Sequence, residues 1–302
     1  MAAVRFGLFG TGPWAHMVYA PGLARHGGVD FVGVWGRNPA KAADLAAQHD
    51  AVSYSTIDAL IGDVEAVAVA LPPDVQAPIA TQAARAGRHL LLDKPVALAA
   101  EPATELASAV AEHDVASVVF FTRWYLPLVR EFLERTAATG GWLEARVDYL
   151  DTIDTPGNPF GASPWRREKG GLWDLGPHSL ALVLPVLGPV AEVTAMTGVP
   201  DISHVLLRHV TGAISTLTLS QHVPPAAARQ EAIFAGEAGV VVVPAQPVDA
   251  IAAFANAVDE LIAAAPGTVR PVMDVRFGAQ VTAILAAAEE AARTGRAVAL
   301  GG

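Results

Sequence analysis

Short apolar runs alternate with helical patterns along the first ~120 positions, the signature of strands separated by amphipathic helices. Val4–Phe9 reads as a buried strand, Gly10–Gly12 as a turn, and Pro13 to Arg25 as a helix. Pro13 suits the first turn, where its missing N–H would be unpaired anyway. Phe31–Trp35, Val64–Leu71, His89–Leu92 and Ala116–Phe121 read as further strands. Ala40–Gln48, Asp74–Ala86 and Glu101–Glu112 read as the helices between them. This rhythm predicts an α/β domain with a parallel sheet covered on both faces.

The pattern then changes. After a helix near Pro127–Ala138, Trp142–Leu150 reads as a long strand and Thr152 to Gly170 as a Pro- and Gly-rich loop. An apolar helix follows, then strands at Ala191–Met196, His204–Val210, Ala213–Gln221 and Glu231–Val243. Val210-Thr-Gly-Ala213 looks like a hairpin turn between two well-alternating strands. Helices near Asp249–Ala265 and Val275–Thr294 close the chain. Strands gathered after an α/β half suggest a second, α+β domain on a mostly antiparallel sheet, with the division at residues 1–122 and 123–302.

Composition narrows the function classes. Apolar residues make up 52% and charged residues 17% of the 302 positions, so disorder is not expected. The net charge of −10 lies in no long run, which argues against nucleic-acid or anionic-membrane partners. There is no cysteine, so disulfides, thiolate nucleophiles and cysteine-based zinc sites are excluded. The histidines lack metal-ligand spacing with acids, and no metal is expected. Met1 leads straight into a strand pattern, and no apolar stretch is long enough to span a bilayer, so a cytoplasmic protein is expected.

Gly10-Thr11-Gly12-Pro13-Trp14-Ala15 lies at a strand-to-helix turn, the setting of a dinucleotide fingerprint. Gly10 permits the turn, Gly12 lets the backbone approach a pyrophosphate, and Ala15 stands where a third glycine would meet the strand. The second strand ends in Trp35-Gly36-Arg37-Asn38 without the acid that usually holds a ribose diol. Arg37, with Lys41 nearby, suits a 2′-phosphate, so NADP is favoured over NAD. Farther on, Lys169-Gly-Gly-Leu-Trp173-Asp174-Leu-Gly-Pro-His178 places an acid and an imidazole four residues apart, on one helical face, where a carboxylate can orient a histidine for proton transfer. Asp174 also reads as a helix N-cap.

These motifs, with Leu71-Pro72-Pro73 at the fourth-strand exit, Asp93-Lys94-Pro95, Thr122-Arg123-Trp124-Tyr125 and Trp165-Arg166, occur in one order. Over nearly its whole length the chain resembles the Gfo/Idh/MocA family of NAD(P)-dependent sugar oxidoreductases. The resemblance implies an N-terminal Rossmann domain that binds the dinucleotide through Gly10, Thr11, Gly12, Pro13, Trp14, Arg37, Leu71, Pro72, Asp93 and Lys94. It implies that Lys94 hydrogen-bonds the reacting hydroxyl beside the nicotinamide, that His178 is the acid/base, and that Asp174 binds substrate or supports the histidine. Pro95 matches a position often preceded by a cis bond. Arg123, Tyr125, Trp165, Arg166 and Trp173 are candidates to hold a sugar, a cyclitol or a related small molecule, at a site between the domains; Arg123 and Arg166 equally suit an anionic substrate or a pairing with nearby acids. A homodimer or homotetramer through the C-terminal sheet is a family expectation.

Three positions depart from the family pattern: Gln76 where a histidine is common, Ala181 where a second aspartate is common, and Thr122 in place of an asparagine. They put the polyol-binding pattern in question. A dihydrodiol-dehydrogenase type of activity, or a dinucleotide-sensing protein without catalysis, are the alternatives.

Overall fold

The computed structural model describes residues 3–301. In chain order the first half runs β1 (Val4–Phe9), a π-helical turn (Ala15–Tyr19) continuing into α1 (Ala20–Arg25), β2 (Val29–Trp35), α2 (Pro39–Ala47), β3 (Val52–Ser53), α3 (Ile57–Asp63), β4 (Ala66–Val69), α4 (Pro73–Arg85), β5 (His89–Leu92), α5 (Ala100–Glu112) and β6 (Ser117–Val119). The second half runs α6 (Pro127–Thr139), β7 (Trp142–Leu150), α7 (Pro164–Leu187), β8 (Val190–Thr197), β9 (Ser203–His209), β10 (Ile214–Ser220), β11 (Arg229–Gly236), β12 (Gly239–Val242), α8 (Ala250–Ala264), α9 (Val275–Thr294) and β13 (Val298–Ala299).

Two compact units result. The first holds the chain up to Tyr125 together with Val248–Ala279; the second holds Leu126–Pro247 and the chain from Gln280 onward. The first unit is built on a six-stranded sheet ordered β3-β2-β1-β4-β5-β6, with every pair parallel. All four residues of β4 are buried, as are the last four of β1, which is why these strands read as continuous apolar runs. The order reverses between β1 and β4, and in open parallel sheets ligands bind beyond the carboxyl ends of the strands at such a point.

The second unit carries a seven-stranded sheet ordered β12-β11-β7-β10-β9-β8-β13, antiparallel except for β7 with β10. The burial of β9 alternates perfectly, so one face is packed and the other exposed. Exposed Leu206, Met196, Val240 and Val242 lie on the open face. No helix of the described residues is long and apolar enough to cross a membrane.

The structure corrects several sequence expectations. Residues 164–169 are helical rather than loop: a first segment of α7 opens at Pro164, breaks at Gly170 (φ 63°) and restarts at Gly171, where the sequence places the helix. Glu231–Val243 is not one strand; it folds back at Gly236–Gly239 as the hairpin of β11 and β12, with Gly239 at φ 93°. The short β3, α3 and β13 had not been anticipated. Of these α3 carries a readable signal: Thr56 caps it, its hydroxyl accepting the Ala59 N–H at 3.2 Å, with Asp58 in the first turn.

Two histidines tie the sheets internally. His89 Nδ1 accepts the Ala116 N–H (3.0 Å), joining β5 to the residue before β6. His209 Nδ1 faces the Gly188 carbonyl at 2.8 Å and so carries the proton, leaving Nε2 to accept from Ser215 Oγ at 2.8 Å. Burial lowers both pKa values, against a smaller raising effect of Glu65 on His89 and of the Gly188 carbonyl on His209. The unfolded chain therefore takes up protons on these rings before the folded one does. Their contribution to stability is complete above the ordinary histidine value of about 6.5 and is lost as the pH falls below it. We expect the thermal midpoint to fall between pH 7 and pH 5. In His209→Gln the fall should be shallower, although that variant is less stable at pH 7. An equal slope in the two proteins would show that His209 stays out of the transition.

Candidate active site

In the first unit the candidate residues gather beyond the carboxyl ends of β1, β2, β4 and β5. Gly10 follows β1 with φ 132°, and a Cβ built there would stand 2.3 Å from the Ala70 carbonyl oxygen. Its N–H donates to the Trp35 carbonyl at 2.9 Å, so the exits of β1, β2 and β4 are drawn together at a position only glycine can fill. Gly36 has a related constraint, since a Cβ would fall 2.6 Å from Thr11 Cγ2.

Gly12 is different. A Cβ there would meet nothing within 4 Å, so its lack of a side chain leaves open space ahead of the helical turn rather than relieving a clash. Ala15 is fully buried. Pro13 is exposed, and half-buried Trp14 stacks on Phe120 with centroids 6.5 Å apart. A π-helical turn follows, a feature often found at functional sites. Arg37 is exposed, and Asn38 beside it caps α2 by accepting the Lys41 N–H at 3.1 Å. Leu71 and Pro72 are half-buried at the exit of β4, with Pro72 capping α4. These residues fit a dinucleotide: a tight glycine turn, an unfilled position at Gly12, and a cation without an acid at the end of β2.

Lys94 follows β5 and is 8% exposed. Its N–H donates to Asp93 Oδ1 at 2.9 Å, and the Lys94–Pro95 bond is cis. Fully buried Gln76, in the first turns of α4, reaches this segment. Its Nε2 donates to the carbonyls of Asp93 (2.8 Å) and Pro95 (3.1 Å), and its Oε1 accepts the Asp93 N–H (2.9 Å). Beyond β6, Arg123 is half-buried. Tyr125 lies in the aromatic core, 1% exposed and 5.9 Å from Phe120.

In the second unit α7 supplies the other candidates. Its two adjacent glycines answer two separate demands. Gly170 takes the positive φ of the kink, and Gly171 passes so close to β10 that a Cβ would sit 2.7 Å from Ser220 Cα. The helix restarts at Gly171 under Asp201, whose Oδ2 accepts the N–H groups of Gly171 (2.8 Å) and Gln221 (3.0 Å) and whose Oδ1 takes the Ser220 hydroxyl. The cap is therefore Asp201, and Asp174 lies inside the helix rather than at the N-cap. Sequence reasoning missed Asp201 because it is 30 residues from the N–H it serves.

Asp174 is 8% exposed, and its Oδ2 accepts Arg166 Nε at 3.0 Å. The Arg166 guanidinium also lies 4.9 Å from the Phe160 ring centre and 4.6 Å from that of Trp165. Arg166 thus joins Trp165 and Asp174, with its charge held by a carboxylate and two aromatic faces. Gln221 Nε2 donates to the Arg166 carbonyl at 2.6 Å. His178 follows Asp174 by four residues on a half-buried position, 6.0 Å from the Tyr149 ring. Trp173 is 1% exposed, with Lys169 Nζ 5.5 Å from its ring centre. An acid–imidazole contact, His222 Nδ1 to Asp154 Oδ2, joins the 151–163 loop to the residues after β10.

The fold and these residues define a two-unit protein with the architecture of a nicotinamide-dinucleotide oxidoreductase. Residues 4–121 match the family model described as an oxidoreductase family with an NAD-binding Rossmann fold, and residues 135–242 match the GFO/IDH/MocA C-terminal domain. The chain belongs to the GFO/IDH/MocA oxidoreductase family. An uncharacterized oxidoreductase of Synechocystis is 31% identical over 236 residues, which cover 72% of this chain and 62% of that relative. The matched segment thus spans about six-tenths of the relative's length. Two solved structures share the fold. The WlbA dehydrogenase of Bordetella pertussis, in complex with NADH and UDP-GlcNAcA, has a TM-score of 0.83 at 23% identity, covering 99% of both chains. A myo-inositol dehydrogenase of Corynebacterium glutamicum has a TM-score of 0.83 at 19% identity, again over 99% of both chains.

The glycines separate packing from binding. Gly171→Ala should cost about 1–3 kcal/mol, because the new methyl meets backbone. Gly12→Ala should leave stability within about 0.5 kcal/mol and weaken dinucleotide binding instead. Denaturant unfolding and a dinucleotide fluorescence titration check the pair; a destabilised Gly12→Ala variant with unchanged affinity would reverse the assignment.

Proposed function

We propose that this protein is an NADP-preferring dehydrogenase or reductase that interconverts a hydroxyl and a carbonyl on a sugar, cyclitol or related small molecule. The observation that carries the reading is Lys94: an amine that is 8% exposed, at the carboxyl end of a parallel strand, where such sheets bind ligands. A dinucleotide held by Gly10, Thr11, Gly12, Pro13, Trp14, Leu71, Pro72 and Asp93 would supply the hydride acceptor or donor. Arg37 would hold its 2′-phosphate.

Lys94 Nζ donates a hydrogen bond to the reacting oxygen and stabilises negative charge as it develops there. His178 takes the proton from that oxygen in oxidation and returns it in reduction. Asp174 and Arg166 form one neutralised unit; the pair gives the helix turn before His178 a fixed polar surface on which a hydroxyl can be held. Trp165 and Arg123 would contact the substrate, whereas Tyr125 and Trp173, each 1% exposed, support their own units by packing. The class of substrate is supported by the sugar-nucleotide and inositol chemistry named for the two structures that share the fold. A homodimer or homotetramer through the open face of the second sheet accompanies this reading, supported by the apolar Leu206, Met196, Val240 and Val242 on it.

A screen of sugars, cyclitols and keto-sugars for NADP reduction or NADPH oxidation tests the reading. Lys94→Ala and His178→Ala should each lower turnover by about 10²- to 10⁴-fold while dinucleotide binding is nearly kept. Turnover retained by both variants would end the catalytic assignment. NADPH should bind about 10- to 100-fold more tightly than NADH, the scale of one charge-assisted contact, and Arg37→Ala should erase the difference. Equal affinities in the unmodified protein would remove the 2′-phosphate argument.

A further inference from the structure

We infer that Gln76 is a positioning residue for Lys94, its side-chain amide fixing the backbone on both sides of the lysine. The inference rests on the assignment of Lys94 to the reaction proposed above. Gln76 occupies a position where the family commonly has histidine, and it is fully buried in the first turns of α4. Residue pairing of β5 ends at Leu92, and the Asp93 N–H gives one last ladder bond to the Val69 carbonyl at 3.1 Å; the carbonyls of Asp93 and Pro95 then need partners outside the sheet. One side-chain amide serves both carbonyls and shares the Asp93 N–H. Its NH₂ bridges the carbonyls of Asp93 and Pro95, at 2.8 and 3.1 Å, and its oxygen takes the Asp93 N–H at 2.9 Å. The Lys94 N–H itself goes to Asp93 Oδ1.

Every carbonyl and N–H named here flanks the lysine Cα, so a shift of the amide is a shift of the lysine stem. The helix does not need the amide for its own packing. Ala77, Ile79, Ala80, Ala83 and Ala84 already bury its apolar face. A neutral histidine offers one donor and one acceptor, fewer than the three contacts made here, and leucine offers none. The order Gln, His, Leu at position 76 is therefore a graded loosening of one short segment.

The chain contains three lysines, Lys41, Lys94 and Lys169, which makes the effect readable without a substrate. The wild-type protein, Gln76→Leu, Gln76→His and Lys94→Ala are compared as full chains. Acetic anhydride labelling of each lysine is followed by peptide mass spectrometry, NADPH affinity by fluorescence, and kcat and KM with whichever substrate the wild type turns over. In Gln76→Leu, Lys94 should label about tenfold faster through local opening, with Lys41 and Lys169 unchanged. Its kcat should fall about 10- to 100-fold, with KM and NADPH affinity nearly kept and Gln76→His in between.

Unchanged Lys94 labelling and kcat in Gln76→Leu would overturn the inference. So would a loss of kcat accompanied by faster labelling of all three lysines and weaker NADPH binding, the pattern of general loosening. If Gln76→Leu does not fold, Gln76→His carries the same comparison. Turnover retained by Lys94→Ala would overturn the role of the lysine itself, and the labelling would still report whether Gln76 holds its backbone.

Discussion

Between the exits of β1 and β4 there is no room for a side chain. The Gly10 backbone runs so close to Ala70 that a Cβ would stand 2.3 Å from its carbonyl oxygen, and the Gly10 N–H is spent on Trp35. That approach brings the ends of β1, β2 and β4 to one edge, and everything assigned to the dinucleotide follows from it. The turn it creates leaves Gly12 facing open space. It places Arg37 at the end of β2 and Leu71 and Pro72 at the end of β4. A larger residue at Gly10 would have to move β4, which is buried along its whole length.

The same logic recurs in the second unit with a different device. Gly171 passes against Ser220, and Asp201 gathers the Gly171 and Gln221 N–H groups and the Ser220 hydroxyl. One carboxylate thus satisfies the restarted helix and fastens it to the sheet. The helix then carries Asp174 and His178 at fixed positions. In both units the side chains assigned to chemistry are set by polar groups that do none themselves: Gln76 around Lys94, and Asp201 beneath the helix of Asp174 and His178.

Much of this was legible in the sequence. Strand periodicity, the Gly10–Ala15 turn and the Asp174–His178 spacing are local signals, read over ten residues or fewer, and a strand-to-helix turn and a helix do stand at the last two. What escaped reading depends on distance along the chain. Nothing near Asp201 announces a cap for a helix 30 residues earlier. Gln76 looked like a departure from a family pattern, and its meaning appeared only when α4 was seen to lie against the residues after β5. Gly170 does mark a boundary, and what the sequence does not show is the helical segment at residues 164–169 ahead of it.

A chain that transfers hydride, rather than only binding a dinucleotide, carries an isotopic label from cofactor to product. The protein is incubated with NADPH deuterated at the reactive nicotinamide carbon and a set of keto-sugars and keto-cyclitols, and the products are read by mass spectrometry. One deuterium should appear on the new carbinol carbon of at least one product, about 10²- to 10⁴-fold more slowly when Lys94 is replaced by alanine. Tight NADPH binding with no label transferred to any member of the set would contradict hydride transfer.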